Sequence, residues 1–90
     1  MDPELDEEYV RLLRVACGID PVQWEYQDQA GREYVLAQGR MALVRASGIR
    51  RKTWNALPAR SRARSDILLR GAEVLGIDTA WTGWTNADSS

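Results

Sequence analysis

Leu43-Val44-Arg45-Ala46-Ser47-Gly48-Ile49-Arg50-Arg51-Lys52-Thr53-Trp54-Asn55-Ala56-Leu57 is the stretch whose reading decides the fold. An apolar helical pattern runs up to Gly48, and a basic helical pattern begins after it. Two short helices joined by a glycine turn are what a helix-turn-helix requires. Glycine at the turn takes a positive φ without a Cβ clash. Leu43, Val44, Ile49, Trp54 and Leu57 then form an apolar seam between the helices. Arg50, Arg51, Lys52, Thr53 and Asn55 fall outside that seam, near the start of the second helix. That end of a recognition helix meets base edges in the major groove.

The periodicity to either side predicts helices throughout. Leu5, Tyr9, Leu12, Leu13 and Ala16 mark the inner stripe of a first helix over 5–17, which Gly18 stops. Asp20-Pro21 pairs an N-cap with a proline at the first helical position. A second helix is expected from Pro21 towards Gln38, with Val22, Tyr26, Ala30, Tyr34 and Ala37 inward and Gly31 as a point where it can break into two pieces. Gly39 separates it from a short third helix over 40–47. A fourth is expected over 51–57, ended by Pro58, and PARSRAR at 58–64 reads as a basic loop. Ser65 caps a fifth helix to about Leu75, with Ile67, Leu68, Ala72 and Leu75 inward and Gly76 as its stop. No alternating strand pattern and no Asn-Gly or Asp-Gly hairpin turn occurs. The expectation is an all-α fold of about five short helices with a central helix-turn-helix. It divides into an acidic two-helix segment at 1–39, a helix-turn-helix core at 40–78 and a tail at 79–90. The tail carries Trp81 and Trp84, and its last six residues are expected to be disordered.

The segment resembles the phage-repressor (Cro/Xre-type) helix-turn-helix family. That family reads roughly Leu-Ala-x-x-x-Gly-Val-Ser-x-x-Thr-Ile-x-x-Leu, against Leu43 to Leu57 here. It often continues with a helix ending Leu-Gly-Ile, which Asp66 to Ile77 resembles. The resemblance covers about residues 40–78. It departs from the pattern at Val44, where Ala is usual, and at Arg50, where a Ser cap is usual. Arg40 stands where many members have a glutamine that touches phosphate. The resemblance implies a small sequence-specific DNA-binding regulator. Arg51, Lys52, Thr53 and Asn55 would meet bases, and Arg40, Arg45, Arg50, Arg60, Arg62 and Arg64 would meet phosphate.

Charge along the chain agrees with that division. Residues 1–33 hold nine acids against three arginines, and residues 50–70 hold seven basic residues against Asp66, within a net charge of −1. Dense basic charge suits phosphate. The acidic half repels it, so the first helix must serve packing, dimerisation, masking or a partner protein. A homodimer is expected, with Leu5, Tyr9, Leu12, Leu13, Trp81 and Trp84 as interface candidates. A different function class stays open: a protein-binding module, antitoxin-like or a phage-encoded inhibitor, working through the acidic N-terminal helices. Ala16-Cys17-Gly18-Ile19 and Trp24 recur thirty residues later as Ala46-Ser47-Gly48-Ile49 and Trp54. The expected cause is chance, since two units alone do not establish a repeat architecture.

Composition removes other classes. Ninety residues form about one small domain. The absence of histidine excludes a Ser-His-Asp triad, a Cys-His pair and a His-ligated zinc. The single cysteine, Cys17, excludes an internal disulfide and a thiolate zinc cluster and suits a reducing cytosol. No apolar run approaches the roughly 18 residues of a membrane span. Met1-Asp2-Pro3-Glu4 is acidic where a signal peptide would be basic. The expectation is a cytoplasmic, non-enzymatic binding module without metal or cofactor.

Overall fold

A computed structural model describes residues 7–63 and 66–82, with the side chains of Arg60 and Ala63 left out. Among these residues the fold is all-α, without a strand. Its helices are α1 (Glu7–Cys17), α2 (Pro21–Tyr26), α3 (Gln29–Ser47), α4 (Arg51–Ala56), α5 (Ala59–Ala63) and α6 (Asp66–Val74), followed by a 3-10 turn at Ala80–Thr82. α3 is the spine on which both α1 and α6 pack. Among the described residues none of these helices is long and apolar enough to cross a membrane.

Three close-packed helices need a core, and the predicted stripes supply it. Tyr9, Leu12 and Leu13 of α1, Leu43 and Val44 of α3, Trp54 of α4, and Leu68 and Ala72 of α6 form one buried cluster. Ile49, Leu57, Ile67, Ile77 and Trp81 pack around it. Leu12, Leu13, Leu43 and Leu68 lose all of their exposure, each worth about 1.5–3 kcal/mol of burial.

Several expectations need correction. The second helix does not run from Pro21 to Gln38. It stops at Tyr26, and Asp28 caps a new helix by accepting the Gly31 N–H at 2.8 Å. On both sides of this break the face expected inward points outward. Tyr26 is 85% exposed, Tyr34 66% and Val22 62%, and Ala30 and Ala37 are exposed as well. Trp24 and Val35 are buried in their place. Nor does Gly39 break α3. A Cβ there would overlap the backbone carbonyl of Leu13, so the glycine permits the α1–α3 crossing. Gly71 does the same for α6 against the Leu43 carbonyl. α3 therefore runs through the expected boundary at 39/40. The PARSRAR stretch is not wholly loop, because α5 occupies Ala59–Ala63 and the Arg62 N–H donates to the Pro58 carbonyl at 3.1 Å. Leu75 lies beyond the end of α6 and is exposed. Leu5, Arg64, Ser65, Trp84 and the tail end lie outside the described residues.

The thirty-residue echo is a structural repeat of one turn. Gly18 and Gly48 both sit at φ 81°, where only glycine avoids a Cβ penalty of about 1–2 kcal/mol. The caps that follow match, with Asp20 at φ −70°, ψ 142° and Arg50 at φ −71°, ψ 139°. The helix ends match too, with Gln27 at φ −77°, ψ 139° and Leu57 at φ −74°, ψ 144°. Gly76-Ile77-Asp78 begins the turn a third time. Gly76 is at φ 76°, and the Ala80 N–H donates to the Asp78 carboxylate at 3.0 Å.

Candidate nucleic-acid interface

α4 is six residues, fewer than two turns, and too short to be stable alone. Its position rests on one side chain. Trp54 enters the core cluster with 3% of its surface exposed. The Trp54 N–H donates to the Arg50 carbonyl at 3.0 Å, and the Leu57 N–H donates to the Trp54 carbonyl at 3.1 Å. Before α4, Ser47 steadies the turn: its hydroxyl donates to the Val44 carbonyl at 2.7 Å and accepts the Ile49 N–H at 3.3 Å.

With Trp54 inward, the rest of α4 faces solvent. Arg51, Lys52, Thr53 and Asn55 are exposed, as is Arg50 at the cap. Arg50 makes no side-chain cap hydrogen bond, so its guanidinium is free of the helix end it precedes. Arg50, Arg51 and Lys52 form no ion pair among the described residues, where the salt bridge present is Arg32 to Glu25 at 3.8 Å. A compact patch of unneutralised positive charge results, on a helix held by an apolar anchor beneath.

The phosphate candidates are dispersed. Arg40 leaves the set, because its Nε–H donates to the Tyr9 hydroxyl at 2.7 Å and its guanidinium lies 5.7 Å from the Tyr9 ring centroid. It ties α3 to α1 instead. Arg45 is exposed in the last turn of α3. Arg62, on α5, is half-buried with its Nε enclosed and without a hydrogen-bond partner. The Arg60 side chain and Arg64 lie outside the description.

The interface candidates divide as well. Tyr9, Leu12 and Leu13 are covered by the chain's own helices, so the α1 stripe does not wait for a second copy. Trp81 is half-buried against the core, and the Arg11 guanidinium stands 4.2 Å from its ring centroid. That contact closes the C-terminal turn onto α1. At the acidic end, Trp24 lies between elements rather than in the main cluster. The guanidiniums of Arg32 and Arg14 lie 4.9 and 5.3 Å from its ring centroid. The sequence marks Trp24 and Tyr26 as a pair that anchors the second helix; Trp24 is buried, Tyr26 is exposed, and the two arginines over Trp24 were not legible. Among the described residues no cluster of three or more Cys, Asp or Glu is placed to hold a metal ion.

Comparison with protein-family models, with curated proteins and with solved structures gave no match. The functional reading therefore rests on this chain's own geometry and charge.

Proposed function

We propose that the chain binds double-stranded DNA through α4, as a small sequence-specific regulator. The observation that carries the reading is the split of α4 into one buried anchor, Trp54, and an exposed set of Arg50, Arg51, Lys52, Thr53 and Asn55. A helix so held can enter a major groove without unfolding its support. Arg51 and Lys52 suit guanine edges, Asn55 suits adenine, and Thr53 suits either a polar edge or a thymine methyl. Arg50, Arg60, Arg62 and Arg64 supply phosphate contacts, which position the helix without reading sequence. A six-residue helix is about 9 Å long, the length of about three stacked base pairs, so useful discrimination calls for two copies on paired half-sites.

Selection from a randomised duplex library tests the reading. Asn55→Ala or Thr53→Ala relaxes preference at one position per half-site, by about 1–3 kcal/mol. Arg62→Ala weakens all sequences alike. The reverse pattern would assign base reading to α5, and no enrichment of any duplex would remove the DNA function.

A further inference from the structure

Among the described residues, the outer side of α3 carries an apolar stripe that stays largely uncovered. Ala30, Tyr34, Ala37 and Met41 recur at i, i+4, i+7 and i+11, a helical face opposite the buried Val35, Gly39 and Leu43, and the stripe ends where its next position, Val44, enters the core. Ala30, Tyr34 and Ala37 are exposed and Met41 is half-buried. The chain before the stripe holds Val22 and Tyr26 of α2, also exposed, and Glu25, which pairs with Arg32 at 3.8 Å; Glu33 stands exposed on α3 itself, in the half nearer α2. The chain after the stripe holds Arg45 and then the basic α4. The stripe thus joins an acidic end to a basic end along a 19-residue helix, about 28 Å long.

We infer that this face is covered by a second copy of the same chain, lying antiparallel across α3. A two-fold axis near Ala37 sets the apolar stripes of the two copies together. It brings the acidic end of each copy beside the basic end of the other, so both charge contacts form in one closed pair. Parallel stacking would instead set acid against acid and Arg45 against Arg45. Small residues at Ala30 and Ala37 let the helices approach, and the tyrosines supply the large rigid contacts that interfaces favour.

The pairing stands on α3 and does not rest on the DNA reading. It does extend that reading. The two α4 helices leave opposite ends of the antiparallel α3 pair, and those ends stand about 28 Å apart, near the roughly 34–36 Å between successive half-sites on one duplex face.

Mass measurement of the full chain without DNA tests the pairing. The wild type is dimeric at submillimolar concentration. Ala37→Arg sets two like charges at the axis and gives a folded monomer. Glu25→Lys with Glu33→Lys makes both ends basic and weakens self-association at least tenfold; Arg45→Glu lowers the charge of the basic end and weakens it less, and an equimolar mixture of the two restores a dimer. Helical circular dichroism of each variant shows that it is folded. A monomeric wild type, an Ala37→Arg variant that dimerises as well as wild type, or a mixture that stays monomeric would each overturn the inference. Loss of the dimer with DNA binding kept would leave α4 a one-copy reader; the converse would leave the pairing without a DNA role.

Discussion

Asp20 and Arg50 hold the same place in two turns of the same shape, and almost everything around them differs. The α1–α2 turn is followed by acids, and the α3–α4 turn by bases. Asp20 forms a capping box: its carboxylate accepts the Val22 N–H at 2.7 Å, while Gln23 reaches back to the Asp20 N–H at 3.4 Å. Arg50 caps with backbone alone. Trp24 is latched between two arginines at the edge, whereas Trp54 sits in the main core. The comparison separates what the turn needs from what it is used for. A glycine in the left-handed region and an extended cap suffice to form it. A cap residue that adds no side-chain hydrogen bond, as at Arg50, gives up local stability and leaves a charge facing outward.

The largest difference should appear at the two tryptophans. Trp54→Ala empties the shared core and costs about 3–5 kcal/mol. Trp24→Ala loses its own burial, about 1.5–3 kcal/mol, and two partly exposed guanidinium contacts, but the main cluster remains, so its cost stays below that of Trp54→Ala. Chemical denaturation of both variants reads the gap. Equal losses would place Trp24 in the core and end the distinction.

Next come the helix crossings. Gly39→Ala raises helix propensity by about 1 kcal/mol, but its methyl meets the Leu13 backbone, which no rotamer change can move aside. The expected net effect is a loss of about 2 kcal/mol, measured by thermal or chemical unfolding. A net gain would show that α1 is free to shift.

The smallest effect is the most pointed. Asp20→Ala removes a cap hydrogen bond and costs about 1 kcal/mol, while Arg50→Asp supplies one and stabilises by about 0.5–1 kcal/mol. The same Arg50→Asp exchange should weaken binding to duplex DNA. A stabilised variant that binds as well as wild type would detach Arg50 from function.

The sequence made most of the helix ends legible, for a physical reason. Gly18, Gly48 and Gly76 and the Asp20-Pro21 pair act within one turn of chain, and their conformations follow from covalent structure alone. The seam of Leu43, Val44, Ile49, Trp54 and Leu57 was legible through its spacing. What was not legible depends on a neighbour. Gly39 reads as a break until α1 is known to cross there. Val22, Tyr26, Ala30 and Tyr34 keep helical spacing, but spacing does not say which side of a helix is covered. Asp28 three residues before Gly31 was the available sign of the α2–α3 break. Of the site, the exposed residues of α4 were legible, and the capture of Arg40 by Tyr9 was not, because it joins residues thirty-one apart.

The central claim is that the basic patch on and after α4 engages the DNA backbone, and salt dependence tests it most directly. Duplex binding should be titrated over a range of salt at protein concentrations low enough to hold one copy per site. Four phosphate contacts, from Arg50, Arg60, Arg62 and Arg64, at about −0.9 each, predict a log–log slope of about −4. A flat response, or no binding at low salt, would contradict the account.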